Sequence, residues 1–248
     1  EHMRDYVHGG YQNVFPVIAQ GAQSFPRLQN PHMHLTEALL VAARATGRAD
    51  YLDRAGELVE LFFAKFLKSE DGVCGVVEYY DEALNPLAGD IGGRSEPGHL
   101  FEWVWIVQLY GKMLRDEGLS SKLQHVLDEG LACGIDDRPN CVAAVFDEVS
   151  LEGTVLKRDK RLWPQTEALK ALCAGYEGTQ GAQKAEYRMR AQGQLNMMMA
   201  AYREGLAAPV FHEHLDEQGN VLTDYYPISS LYHLFLAFSE YLWVFTKD

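Results

Sequence analysis

The sequence predicts an all-α fold, a ring of helical hairpins with short β-hairpins along one rim. Three observations predict it: proline-headed helix starts at a nearly constant spacing, an apolar stretch of helical length behind each, and a second helical stretch between successive starts. The starts are Pro31-His-Met-His34-Leu-Thr-Glu37, Pro97-Gly-His99-Leu-Phe-Glu102, Pro164-Gln-Thr-Glu167, and Pro227 followed by His233-Leu-Phe. Their prolines lie 66, 67 and 63 residues apart.

Proline is tolerated in the first turn of a helix, where its missing N–H would have no partner, so each proline marks where a helix begins. The stretch Phe101-Glu-Trp-Val-Trp-Ile-Val-Gln-Leu-Tyr110 is apolar nearly all round, which predicts an inner helix packed on most sides. Second, outer helices are expected over Tyr51 to Leu67, Ser121 to Ala132 and Ala182 to Tyr202. Longer loops carry extended pieces at Gly75 to Tyr80 and Val210 to Leu215, the latter leading into a Gln218-Gly219-Asn220 turn. A closed (α/α)6 barrel, or toroid, at this period needs roughly 390 residues. The 248 residues are therefore expected to form a single domain, the C-terminal portion of such a ring, with about seven helices and residues 1–30 as a lead-in.

Composition narrows the function. With 47% apolar and 23% charged residues the chain can build a large core. No run reaches the ~18 to 20 apolar residues of a membrane span, and the opening lacks the pattern of a signal peptide, so a cytoplasmic setting without membrane contact is expected. A net charge of −13, with Lys157, Arg158, Lys160 and Arg161 as one short basic cluster, disfavours nucleic acid as a partner. Cys74, Cys133, Cys141 and Cys173 are dispersed and read as reduced, mostly buried thiols.

The residues able to carry chemistry sit at the helix starts. His99 and Glu102 are three apart, on one helix face, so the carboxylate is expected to orient the imidazole and raise its basicity. His34 and Glu37 repeat that spacing, and His233 follows the last proline. If the period is structural, three histidines and several carboxylates line one concave site, whereas isolated His–Glu pairs would only brace helix ends. Trp163 is expected to stack on the apolar face of a sugar while Glu167 accepts hydrogen bonds from hydroxyls. The alternative for both is a core tryptophan beside a capping glutamate. Arg27 and Arg94 precede the first two His-bearing helices, where a guanidinium can hold a hydroxyl or a developing negative oxygen. His32 is expected behind the site. His212-Glu213-His214 lacks a third metal ligand, so neither a metal nor another cofactor is expected.

At these residues the chain resembles the N-acylglucosamine 2-epimerase family, which includes mannose isomerases, cellobiose 2-epimerases and sulfoquinovose isomerases. Four blocks in order carry the resemblance: Arg27-Leu-Gln-Asn-Pro-His-Met-His34, Glu96-Pro-Gly-His-Leu-Phe-Glu-Trp-Val-Trp105, Leu162-Trp-Pro-Gln-Thr-Glu167 and Ser229-Ser-Leu-Tyr-His233. The resemblance implies the (α/α)6 barrel and a metal-independent proton transfer through an enediol or enediolate. It implies His99 and His233 as the catalytic acid/base pair, His34 and Glu102 as assistants, and Asn30, Arg94, Trp163 and Glu167 as shapers of the sugar pocket. The family's arginine and aromatic residues from preceding helices have no counterpart in this sequence. The substrate class implied is N-acylglucosamine and N-acylmannosamine, or sugars of the mannose/fructose type. Two other functions remain open: a glycoside hydrolase using Glu102 and Glu167 as acid and base, and a non-catalytic sugar- or protein-binding module. Inner helices left uncovered are expected to draw copies of the chain together as a homo-oligomer.

Overall fold

The computed structural model describes residues 2–13, 26–70, 73–207 and 209–246. Among them are seven α-helices in four successive units. The first unit contains β1 (Arg27–Leu28), α1 (Gln29–Thr46) and α2 (Ala49–Leu61), which runs on as a π-helical turn, Phe62–Phe66, into the hairpin β2 (Leu67–Glu70) and β3 (Val73–Val76). Next come β4 (Tyr79–Tyr80), β5 (Arg94–Ser95), α3 (Pro97–Leu114) and α4 (Glu117–Gly134). The third unit holds β6 (Glu148–Ser150), β7 (Val155–Lys157), β8 (Lys160–Arg161), α5 (Leu162–Gly178) and α6 (Gly181–Ala201), and the last holds β9 (His214–Leu215) and α7 (Ile228–Phe245).

The proline-marked stretches become α1, α3, α5 and α7. Pro97 opens α3 in its first turn and Pro227 immediately precedes α7. The inner helices pack in sequence, α1 on α3, α3 on α5 and α5 on α7, while α2, α4 and α6 cover α1, α3 and α5 from outside. Helix α3 sits in the middle and is buried from Pro97 through Gln108, which explains its all-round apolar sequence. Trp103 anchors this core, stacked on Phe62 with ring centroids 4.6 Å apart. Reversal from α3 to α4 uses Arg115 in the left-handed region, after which the Asp116 side chain caps α4 by accepting from the Gly118 N–H.

Three of the inner helices are entered directly from a short paired strand. β1 pairs with β4, β5 with β6, and β8 with β9, all antiparallel, so the helix starts are pinned at one rim. The extended piece expected over Val210 to Leu215 shrinks to His214–Leu215, which pairs across to β8. Beyond it the chain turns at Gly219, at φ +94°, to bring Val221 back opposite Leu215. Helix α7 buries only Ser230, Ala237 and Val244, and leaves Ile228, Leu231, Phe235, Leu242 and Trp243 exposed. Cys133, Cys141 and Cys173 are free thiols, but only Cys173 is buried, fewer than composition suggested; the side chain of Cys74 lies outside the described residues.

Candidate active site

The rim where the inner helices begin encloses a cavity of about 280 Å³. It is lined by Asn30, His34, Glu96, His99, Glu102, Arg161, Trp163 and His233. His34, His99 and His233 each reach it from the first turns of a different helix, with Glu102 beside His99 on α3, so the even spacing of helix starts becomes a ring of side chains around one opening. The N-terminal ends of those helices also face it, a polarity that favours negative charge developing inside.

Two imidazoles flank one indole there. The Trp163 ring lies 4.9 Å from His99 and 5.9 Å from His233, centroid to centroid. Trp163 fits this place because Gly98 faces it: a Cβ on Gly98 would come within 2.5 Å of the indole edge.

His99 is held by Glu78, both of whose carboxylate oxygens lie 3.0 Å from Nδ1. This differs from the expected His99–Glu102 pairing. Glu102 shares the helix face but sits one turn deeper, whereas the segment between β3 and β4 brings Glu78 onto the ring from outside the helix. Glu78 is itself fixed: Gln29 Nε2 donates to it at 2.8 Å, the Glu96 N–H at 3.2 Å, and Trp103 Nε1 donates to Gln29 Oε1 at 2.7 Å. Burial by itself would lower the pKa of His99, but the Glu78 charge and hydrogen bond outweigh it and carry the imidazole up to about 9. The Asn30 carboxamide meets Nε2 at 2.9 Å. An amide in that position donates to the neutral ring or, turned over, accepts from the imidazolium.

His233 is held from Nδ1 by Glu167 Oε1 at 2.7 Å, and the other oxygen of Glu167 lies 2.6 Å from Lys170 Nζ. Glu167 is completely buried and both oxygens face these partners, so it orients His233 and is not placed to receive sugar hydroxyls as expected. His34 Nδ1 lies 3.7 Å from Glu102 and 3.9 Å from Glu37, and Glu37 first, with Glu102 adding, raises its pKa. Tyr232 O–H donates to Glu37 and so ties α7 to α1. Both Glu102 oxygens are buried without a hydrogen-bond partner. Burial, then the Glu167 charge, lift its carboxyl to about 7, where it can carry or release a proton near neutrality.

Arg94 does not reach the cavity. It sits on β5, and its guanidinium turns along the sheet to Glu148 on β6 at 3.2 Å. The guanidinium in the site is that of Arg161, fixed by Glu96 at 2.8 Å and Asp147 at 2.9 Å beside the Trp163 ring. Arg27 is buried and binds the carbonyls of Gly9, Tyr11 and Glu82 together with Asp5, a structural post behind the site. His32 is also behind it, bonded to the Leu28 carbonyl and the Tyr11 N–H, and burial lowers it to about 4.

Among the described residues, three groups of carboxylates and imidazoles bring ligand-type atoms within 4.8 Å: His34, Glu37 and Glu102; Glu102, Glu167 and His233; Asp147, Asp159 and His214. The second contains Glu167, which is ion-paired with Lys170, and the third contains Asp147, which is ion-paired with Arg161. Residues 212–214 diverge, His212 to the Glu204 carbonyl, Glu213 to Ser230, and His214 toward Asp147 and Asp159.

Sequence reasoning missed Glu78, Lys170 and the cavity position of Arg161. For the first two a signal existed, since each is a lone charge inside an apolar run, Val76-Val-Glu-Tyr-Tyr80 and Ala168-Leu-Lys-Ala-Leu172. A charge that must be buried needs a partner.

Relatives share this arrangement of helices. The chain is 33% identical over 224 residues to a mannose-6-phosphate isomerase of Rhizobium meliloti, covering 87% of this chain and 55% of that protein. A crystal structure of a D-mannose isomerase superposes with a TM-score of 0.75 at 23% identity, over 88% of this chain and 55% of the other. Cellobiose 2-epimerase from Spirochaeta thermophila superposes with the same TM-score at 19% identity, over 96% and 60%. The chain spans about half the length of the relatives it matches. These neighbours establish the α/α toroid architecture, and residues 1–237 match the N-acylglucosamine 2-epimerase (GlcNAc 2-epimerase) family. By that match along nearly its whole length, the chain is a member of the N-acylglucosamine 2-epimerase family.

Proposed function

We propose that this chain carries the catalytic rim of a sugar 2-epimerase or aldose–ketose isomerase that moves a proton at carbons 1 and 2. One observation carries the reading: two imidazoles, each gripped at Nδ1 by a buried carboxylate, stand beside the same indole in one cavity. With Nδ1 engaged, Nε2 is the nitrogen that exchanges protons with a sugar, and on His99 it also meets the Asn30 amide, which the substrate must share or displace. One histidine removes the proton from carbon 2 of the open-chain aldose, which gives an enediolate. Its return to the opposite face of carbon 2 gives the epimer, and its return to carbon 1 gives the ketose.

In this reading His99 and His233 are the acid/base pair. Glu102 and His34 manage the hydroxyl protons beneath them. Trp163 covers an apolar sugar face, and Asn30 contacts the substrate as well as His99. Arg161 takes the part expected of Arg94, presenting a guanidinium to a hydroxyl or to the enediolate oxygen. Substrates are N-acylglucosamine/N-acylmannosamine or mannose/fructose-type sugars, in a cytoplasmic setting, with residues 1–248 acting as one domain. A glycoside hydrolase built on Glu102 and Glu167 fits poorly. Only Glu102 of the two lines the cavity, and Glu167 is fully buried with its oxygens on His233 and Lys170, so it is not placed to act on a glycosidic bond.

Incubating the protein with mannose, glucose, fructose and N-acetylmannosamine in D2O is expected to place deuterium at carbon 1 or 2 of at least one sugar by proton NMR. Exchange into none of them would overturn the reading in favour of a binding module. The exposed apolar side of α7 supports association between copies. Light scattering is expected to report a mass above that of one 27.9 kDa chain, and a strictly monomeric species would contradict it.

A further inference from the structure

The two histidines look alike from the cavity but are backed differently. Behind His99, Glu78 meets only neutral donors, the Gln29 amide and the Glu96 N–H. Behind His233, Glu167 meets a full positive charge, the Lys170 ammonium at 2.6 Å, itself wholly buried with the Trp105 ring 4.0 Å away. Trp163, Glu167 and Lys170 lie on successive turns of α5, so one helix carries the indole, the carboxylate and the ammonium into the site.

We propose that Lys170 is a positioning residue which, through Glu167, makes His233 the base of the pair and leaves His99 the acid. This rests on the isomerase/epimerase reading above. Proton transfer between two faces or two carbons needs one imidazole neutral and the other charged at the start of each turnover, and two identically backed histidines would compete for the same state. An anion behind an imidazole favours the imidazolium. A cation paired with that anion cancels much of this effect. Toward Lys170 and His233 face His34 and Glu37 of α1, Glu102 of α3, Glu213 ahead of β9, and Glu240 of α7. Four of these five are carboxyls, and Lys170 is the cation that Glu37, Glu102 and Glu167 share. Glu167 stays ionised despite complete burial, with Lys170 the strongest opposing influence and His233 next.

The test is the titration midpoint of the His233 imidazole by NMR, its signal identified by its absence from His233→Asn. This readout does not require turnover, so it fails or succeeds separately from the deuterium-exchange experiment. In Lys170→Met the midpoint is expected to rise by about one pH unit or more, because the uncancelled Glu167 charge then favours the imidazolium. The alkaline shift should reappear in the pH limb of kcat/KM that requires the neutral base, with the His99 midpoint moving less. A folded Lys170→Met protein with an unchanged His233 midpoint overturns the proposal. Should Lys170→Met fail to fold, Lys170→Gln takes its place, since it keeps a donor for Glu167 without the charge. The same alkaline shift of the His233 midpoint is expected. A folded Lys170→Gln protein with an unchanged midpoint means that the charge at position 170 does not set the base, and the proposal falls.

Discussion

Replacing His233 by asparagine is expected to lower deuterium exchange into the sugar by about 10²- to 10⁴-fold while leaving the fold intact. The asparagine amide can donate to Glu167 in place of Nδ1, so the buried carboxylate keeps a partner and Lys170 keeps its counter-ion. What disappears is the titrating nitrogen at the cavity. The same substitution separates the isomerase from the hydrolase, because Glu102 and Glu167 are untouched and a carboxylate-driven hydrolysis would continue. Exchange at the wild-type rate in this variant, with folding checked by circular dichroism, would remove His233 from the reaction.

Glu78→Gln is expected to have an effect of similar size, through His99. The substitution keeps the shape and can still accept from Nδ1–H, but the charge that outweighs burial is gone, so the imidazole falls from about 9 to below the ordinary histidine value. At neutral pH His99 is then uncharged and cannot donate a proton to the enediolate. The descending alkaline limb of the rate profile, set by His99 near pH 9, should move below about pH 7, with kcat/KM lowered by about 10²-fold or more at pH 8.

A linked effect appears in stability. A histidine whose folded pKa is raised contributes stability that is fully present below its unfolded value near 6.5 and is lost as pH climbs through about 9. Urea unfolding of the wild type at pH 6.5 and pH 9 should therefore show a loss with rising pH that Glu78→Gln lacks. If both proteins respond alike, Glu78 is not what charges His99.

Much of the architecture was legible in the sequence because it depends on local chemistry. Proline in a first helical turn, apolar runs of helical length and a constant spacing determined that α1, α3, α5 and α7 would be successive inner helices, and the same spacing put Asn30, His34, His99, Trp163 and His233 at one rim. The extended piece expected at Val210 to Leu215 is shorter in the structure because only the two residues that find a partner on β8 become regular.

Charge pairing was the part that sequence could not supply. A spacing of three says that two side chains share a helix face, and on that ground Glu102 was expected to serve His99. The contacts that set the proton affinities join residues far apart in the chain, Glu78 with His99 at a separation of 21, Glu167 with His233 at 66, and Asn30 with His99 at 69. Which carboxylate reaches which imidazole depends on how whole elements pack, and over a few ångströms in a buried site that choice decides the charge of each group. The sequence by itself determined that the histidine-bearing helix starts gather at one cavity. Only the tertiary structure decided which of them are charged, because electrostatic energy follows distance through the fold and not position along the chain.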